Sequence, residues 1–359
     1  MNTEKKFLIV RLSAIGDIVH SLTVADCLRT FYPNAQIDWV VSDKCRGLIE
    51  NNPLINNVYV ADISKWRKNW LFSIPEIIKF TNIIKKKNYD YALDVQGLFK
   101  SAVITALSGA KEKIGMKDGR EFSTIILDKK VEPIEKRPFK NHHIIKRNLD
   151  ILTGSNLVTK EDMANYIPKI ELPPSSCDVV EKINNLLKNI DKTKPVFVFA
   201  PATMWENKHW DVNEWQKLFQ MVKNSANIIF TGVKKDLKLI NTIINCEENK
   251  NIFILAGKTN MEEYVEVLRR ADLILSPDSG ASHLGFGVIK NGKPKIFTLF
   301  FATSKNVYTP LGEGNLGFPL KEPACAPCHK RKCKKGTMEC TKYIKAEDVY
   351  SEIKKSFNL

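Results

Sequence analysis

Phe7-Leu-Ile-Val-Arg-Leu-Ser-Ala-Ile-Gly-Asp17-Ile-Val-His20 is the stretch that decides the fold class of this chain. Residues 7–10 are an apolar run of the length of an interior parallel strand, buried on both faces and free of polar alternation. Ser13 and Gly16 mark a tight loop, and Gly16 lets the backbone turn. A helix follows, carried by Ile18, Val19, Leu22 and Ala25. Asp17 stands where that helix begins. A carboxylate there can cap the helix, accepting N–H bonds and meeting the positive end of the dipole. It can equally be a functional group, because open α/β sheets bind ligands at the carboxyl ends of their strands.

Outward from this stretch, strand and helix alternate. Residues 36–41 read as a second strand after Pro33-Asn34, and 57–60 as a third. Residues 66–87 read as a helix that begins or kinks at Pro75. One side is basic; the other carries Trp70, Leu71, Ile74, Ile77, Ile78, Ile83 and Ile84. Such a face suits a packed helix with a solvated side, or a membrane surface. Residues 89–95 form a strand ending in Asp94-Val-Gln-Gly-Leu98, and Lys100 and Ser101 open the next helix. Polar groups at a strand end again mark the ligand edge of a sheet. A strand at 113–116 leads to Asp118-Gly-Arg-Glu121. His143 and Arg147 lie four apart, on one helix face, where they suit an acidic ligand. Metal ligation by His142 or His143 lacks a third partner nearby.

Ile167-Pro-Lys-Ile-Glu-Leu-Pro-Pro-Ser-Ser176 reads as a linker. It divides the chain into domains 1–172 and 173–359. Beyond it the alternation restarts, with strands at 195–200, 227–231, 252–255, 273–276 and 294–300. The fold class is therefore α/β, two open parallel-sheet domains of Rossmann type, expected to face each other across a cleft. Two loops of the second half carry chemistry. Pro201-Ala-Thr203-Met-Trp-Glu-Asn-Lys208-His-Trp210 follows a strand, and its Thr203 and Lys208 could grip a phosphate, or lie on a solvated loop. Ser276-Pro-Asp278-Ser279-Gly280-Ala-Ser-His283 joins a strand to a helix and offers backbone N–H groups to an anion. Simple capping with a buried His283 is the other reading.

The chain has 359 residues, 43% of them hydrophobic and 26% charged, enough for two soluble globular cores. No run approaches the ~20 apolar residues of a membrane span. Met1 to Lys6 is polar and the apolar run behind it is too short for a signal peptide, so a cytoplasmic protein is expected. The eight cysteines then serve as thiols or metal ligands rather than disulfides. The formal charge is +15. Nucleic acid, an anionic membrane face and phosphorylated substrates would each suit it, as would a lysine-rich solvated surface. No G-x-G-x-x-G follows the first strand and no Walker A sequence is present, which disfavours a dinucleotide oxidoreductase. No Asp-x-Asp pair occurs, so cationic and backbone donors would have to do the work of a metal–diphosphate clamp.

These motifs, taken in order, resemble the bacterial lipopolysaccharide heptosyltransferases, the inverting GT-B enzymes of glycosyltransferase family nine. The resemblance runs along nearly the whole chain. It includes Arg11 to His20, Asp38-Trp-Val-Val41, Lys65-Trp-Arg-Lys68, Asp94-Val-Gln-Gly-Leu98 with Lys100, and Gly115-Met116. It continues through Arg120-Glu121, His143 with Arg147, Lys208-His-Trp210 and Asp278-Ser-Gly-Ala-Ser-His283. The tryptophan–basic patch and the histidine–arginine pair look most like heptosyltransferase I, which adds the first heptose to a Kdo sugar on lipid A. The resemblance implies Asp17 as general base. It implies a donor, ADP-heptose, held by Thr203, Lys208, Asp236, Asp278, Ser279, Gly280 and His283. Lys100, Arg120, His143 and Arg147 would face the acidic Kdo-lipid A acceptor. It also implies a place on the cytoplasmic face of the inner membrane, and no cofactor required for catalysis. Four places depart from the family pattern, one of them Asp236, which stands where Glu is usual. Asp-Thr-Gly becomes Asp278-Ser279-Gly280, a second phosphate-loop Thr becomes Met204, and Gly-Pro-Thr-Asp-Pro becomes Phe301-Ala-Thr303-Ser304-Lys305.

Cys325, Cys328, Cys333 and Cys340 fall within sixteen residues interleaved with Lys and Arg. They could bind a structural zinc, although their spacing is not that of a zinc ribbon, which repeats C-x2-C. A thiol-rich loop is the other reading. Two further functions stay open beside a heptosyltransferase. One is a transferase of the same fold with another nucleotide sugar or acceptor. The other is a basic, metal-bearing nucleic-acid-binding protein, for which steep salt dependence would be diagnostic and which the ordered sugar-transferase motifs disfavour.

Overall fold

The computed structural model describes residues 4–245, 247, 249–319 and 323–359. The chain divides into two compact units, Met1–Pro174 and Ser175–Leu359. The first holds a six-stranded sheet of β1 (Lys6–Val10), β2 (Gln36–Ser42), β3 (Asn57–Ala61), β4 (Tyr91–Asp94), β5 (Glu112–Met116) and β6 (Lys129–Val131). All pairings are parallel and the order is β3-β2-β1-β4-β5-β6. β1 is therefore central, and Phe7, Leu8, Ile9 and Val10 are fully buried, as an interior parallel strand requires. Helix Ile15–Phe31 returns the chain from β1 to β2 and packs on helix Ile144–Gly154.

The second unit repeats the plan with β7 (Val196–Phe199), β8 (Asn227–Phe230), β9 (Ile252–Ile254), β10 (Leu273–Pro277), β11 (Lys295–Leu299) and β12 (Leu316–Phe318). Its order, β12-β11-β10-β7-β8-β9, is again parallel throughout. Each sheet thus changes winding direction once, between β1 and β4 and between β7 and β10. Those two points are where doubly wound sheets open a crevice for a ligand. The second core is aromatic: Phe197, Phe199, Trp215, Phe219, Phe230, Phe297 and Phe318 are all fully buried. The last helix, Ala346–Phe357, closes it with Val349 and Ile353 and is held at its start by Glu214, which accepts the Ala346 N–H at 2.8 Å.

The structure differs from the sequence expectation in several places, among them the last helix, Ala346–Phe357, for which no expectation was formed. The single helix expected at 66–87 is two, Ile63–Lys68 and Trp70–Lys85, broken at Asn69. Pro75 sits inside the second one rather than at its start. The edge strands β6, Lys-Lys-Val, and β12, Leu-Gly-Phe, were not expected, because neither is an apolar run. Helix Val212–Val222, capped by Asp211 through the Asn213 N–H, also went unread.

Leu275 lies fully buried on β10, between β7 and β11. Leu275→Ala should lower stability by about 3 kcal/mol through lost burial and the cavity left behind. A denaturant titration followed by tryptophan emission should move to a lower midpoint while the far-ultraviolet spectrum in buffer stays unchanged.

Candidate active site

In the second unit the loops at the switch point converge on one carboxylate. Asp278 is the first residue after β10, and its N–H still bonds the Leu299 carbonyl at 3.0 Å. Its side chain is 5% exposed. Lys208, from the loop after β7, brings Nζ to 2.6 Å from Oδ2 and to 3.2 Å from the Asp278 carbonyl. Thr303, from the loop after β11, donates its hydroxyl to the same Oδ2 at 2.5 Å. His283 Nε2 stands 3.0 Å from Oδ1. Burial alone would push the carboxyl pKa up. The Lys208 ammonium, then the hydrogen bond and charge of His283, reverse that and hold it well below the usual carboxylate range. His283 projects from helix Gly280–Phe286, which packs so close to β10 that a Cβ on Gly285 would lie 2.7 Å from Ile274 Cδ1.

The Lys208 loop is fixed from several sides. Asn207 is buried and donates from Nδ2 to the Lys330 carbonyl at 2.5 Å. The Lys208 ammonium lies 4.7 Å from the centre of the Trp205 ring. His209 approaches the Thr203 carbonyl at 2.9 Å. Ser279 caps the following helix, accepting the Ala281 N–H at 3.4 Å. Met204 is exposed. Asp236 sits after β8, where its carboxylate accepts the Val233 N–H at 2.8 Å and shapes its own turn.

In the first unit the loops after β1 and β4 are stitched together. The Leu12 N–H bonds Gln96 Oε1 at 2.8 Å, and Arg11 Nη1 bonds the Val95 carbonyl at 2.6 Å. The other end of the Arg11 guanidinium meets Asp17 Oδ2 at 2.9 Å. Asp17 is the third residue of its helix, not the residue before it, and accepts the Ala14 N–H at 3.2 Å. Its side chain remains 41% exposed. Lys100 reaches back to the same loop, donating to Ser13 Oγ at 3.1 Å, and burial lowers its pKa. Asp94 is spent on the turn itself, accepting the Gln96 and Gly97 N–H groups at 3.0 and 2.8 Å. Gly97, at φ +65°, lets that turn close and offers its carbonyl to the Arg120 N–H at 2.9 Å.

The four residues expected on an acidic acceptor therefore separate. Lys100 and Arg120 lie beside the β1 and β4 loops, with Arg120 exposed. His143 is buried as the N-cap of helix Ile144–Gly154, its Nδ1 accepting the Ile145 N–H. Arg147 is only 3% exposed, pairs with Asp118 and stacks 4.3 Å over the Phe139 ring. A buried guanidinium needs such an anion. Sequence reasoning missed Arg11, Ser13 and Thr303 as site residues. Thr303 could have been found from its place at the end of β11.

The four tail cysteines influence one another: burial, then Cys325, Cys328 and Cys333, push the Cys340 thiol up to about 11. N–H groups of Met338, Lys335, Gly336 and Thr337 approach Cys333 and lower its pKa. Among the described residues no group of three or more His, Cys, Asp or Glu is arranged to hold a metal ion.

Residues 77–339 match the family model described as glycosyltransferase family 9 (heptosyltransferase). The lipopolysaccharide core heptosyltransferase OpsX of Haemophilus influenzae is 26% identical over 292 residues, spanning 78% of this chain and 75% of that protein. Lipopolysaccharide heptosyltransferase 1 of Salmonella typhimurium is 28% identical over 286 residues, spanning 78% and 84%. Among solved structures, the E. coli heptosyltransferase WaaC with ADP superposes with a TM-score of 0.71 at 22% identity, over 98% of this chain and 99% of that one. That likeness supports the GT-B arrangement of two Rossmann-type sheets.

The Asp278 cluster has a pH signature. A carboxyl whose folded-state pKa is depressed contributes stability above its unfolded value and loses it as pH falls towards the folded value. Asp278→Asn should cost about 3–5 kcal/mol at neutral pH, since it strands the Lys208 ammonium. Denaturation midpoints should show a constant gap between wild type and variant from pH 8 to about 5, narrowing only below about pH 4.

Proposed function

The chain belongs to glycosyltransferase family 9, the heptosyltransferase family, and from that premise we propose that it moves heptose from ADP-L-glycero-D-manno-heptose to the Kdo of lipid A, with inversion, in lipopolysaccharide inner-core synthesis. The observation that carries the reading is the Lys208–Asp278–Thr303–His283 cluster at the switch point of the second sheet. It presents a cation, already oriented by a buried carboxylate, where open α/β folds bind nucleotides. WaaC crystallised with ADP has the same fold.

In the proposed reaction an oxygen of the acceptor hydroxyl bonds to the anomeric carbon as the bond from that carbon to the diphosphate breaks. The bonding pair leaves with ADP, and Lys208 with neighbouring N–H groups meets the charge that develops there. The proton passes to Asp17, a carboxylate in the helix after β1 that is accessible to a hydroxyl and fixed by Arg11. Lys100 and Arg120 meet the acidic acceptor. His143 and Arg147 support that surface from beneath, through the helix cap and Asp118.

The acceptor is carried by a membrane, and helix Trp70–Lys85 fits an anionic leaflet. Leu71, Phe72, Ile74 and Ile78 are exposed on it, Phe72 by 90%, beside Lys65, Lys68 and Lys79. Among the described residues no helix is long and apolar enough to cross a membrane. A surface-lying helix of this composition gains from apolar insertion and from anionic headgroups together.

Product mass after mixing the protein with Kdo-lipid A and ADP-heptose should rise by one heptose. Asp17→Ala should lower turnover by roughly 10²–10⁴-fold while ADP binding is kept. A folded, ADP-binding protein that adds no heptose would overturn the donor–acceptor pair and direct the search to other nucleotide sugars. Separately, Phe72→Asp should weaken co-sedimentation with vesicles containing anionic lipid. Equal sedimentation of the variant would remove this helix from the membrane contact.

A further inference from the structure

The basic segment that carries the tail cysteines lies on the phosphate loops of the second unit. His329 donates its N–H to the Ala302 carbonyl at 2.7 Å, beside Thr303. The Lys330 carbonyl accepts from the buried Asn207, the residue before Lys208, at 2.5 Å. The Arg331 guanidinium then comes to 5.6 Å from the centre of the Trp205 ring. Lys208 Nζ lies 4.7 Å from the centre of the same ring. The two cations are thus no further apart than the sum of those distances.

From this geometry we infer that Arg331 is a diphosphate-binding residue of the donor site, and that residues 323–340 form a basic wall over the phosphates. The inference rests on the donor reading above and extends it to a residue of the tail.

Charge is the first reason. Lys208 is already paired with Asp278, and that pair is neutral as a unit. A diphosphate brings about two negative charges and gains another share as the glycosidic bond to it breaks, so a neutral pair leaves it undercompensated. Arg331 supplies the missing positive charge. The segment around it carries Lys330, Arg331, Lys332, Lys334 and Lys335 against Glu339 alone.

Geometry is the second reason. Arg331 is exposed, and among the described residues its guanidinium makes no ion pair or hydrogen bond. The Trp205 ring orients it without consuming its N–H donors, which stay available for bidentate contact with phosphate oxygens. The His329 and Lys330 backbone bonds leave the side chain of the next residue close to the loop that holds Lys208. A turn follows at Cys333, whose carbonyl accepts the Gly336 N–H at 3.3 Å.

The test is titration calorimetry of the full chain with ADP and, separately, with inorganic pyrophosphate, for wild type, Arg331→Ala, Arg331→Lys and Trp205→Leu. Arg331→Ala should weaken both ligands by tenfold or more. Arg331→Lys should recover part of that, and the loss should shrink at high salt. Trp205→Leu should give a smaller loss with the same salt response. Because Arg331 is exposed, thermal midpoints of its variants should match wild type. Wild type that binds ADP, with Arg331→Ala binding it equally, would overturn the inference and leave the donor reading standing. Wild type that binds pyrophosphate but not ADP, with the loss in Arg331→Ala intact, would overturn the donor nucleotide and keep the inference. Binding of neither ligand would overturn both.

Discussion

A carboxylate removed from water must be compensated, and Asp278 is where this protein meets that constraint. Desolvating a carboxylate costs several kcal/mol unless charge and hydrogen bonds replace the lost hydration. Here the replacements come from three segments: Lys208 after β7, His283 from the helix after β10, and Thr303 after β11. None of the three can move far without stranding the charge. One buried group thereby fixes the relative positions of three loops, and the Lys208 ammonium is oriented before any ligand arrives. The desolvation penalty is also why the cluster is rigid: the cost of half-satisfying it exceeds what most surface interactions could return.

The two aspartates at the two switch points illustrate how environment divides roles. Asp278 is enclosed and its carboxyl is held low, so it is a poor proton acceptor and serves as an anchor. Asp17 follows the other strand of the switch point, β1 of the first sheet, and is 41% exposed with one guanidinium and one backbone N–H as partners. The Arg11 side of that pair is buried, while the carboxylate stays partly open. Its value lies in position: Arg11 is itself pinned to Val95, so the carboxylate is presented from two loops at once while a hydroxyl can still approach. The same sheet order thus yields an anchor in one unit and an accessible carboxylate in the other.

What the sequence made legible follows from how local each signal is. Phe7–Val10, followed by Gly16 and Asp17, carried strand, turn and helix within a dozen residues, and β1 and its helix stand as read. β10 and β11 were equally readable, because interior parallel strands are apolar runs. β6 and β12 were not, since Lys-Lys-Val and Leu-Gly-Phe lack the apolar run that marks the equally short β9, Ile-Phe-Ile. Asp17, Lys208 and Asp278 were visible as polar residues at strand ends, a local cue. The burial of Arg147 was invisible because its cause, Asp118, lies 29 residues away and meets it only through the fold. Thr303, just past the end of β11, carries the same local cue, and only its bond to Asp278, 25 residues away in sequence, needed the fold to be seen.

The charge of the chain shows the same distinction between composition and place. A surplus of fifteen cations is compatible with several partners when it is only a number. In the fold, some of it is neutralised inside the protein, as at Arg147 and Lys208. The rest is distributed to different surfaces, the exposed face of helix Trp70–Lys85 in one unit and the segment around Arg331 in the other. Exposed cations on a helix rich in exposed apolar side chains are suited to a surface that is both anionic and greasy. Exposed cations packed on a tryptophan beside a prepaired lysine are suited to a compact polyanion. The electrostatic specificity of the protein therefore comes from what lies beside each cation, and a count of lysines and arginines could not have separated the two.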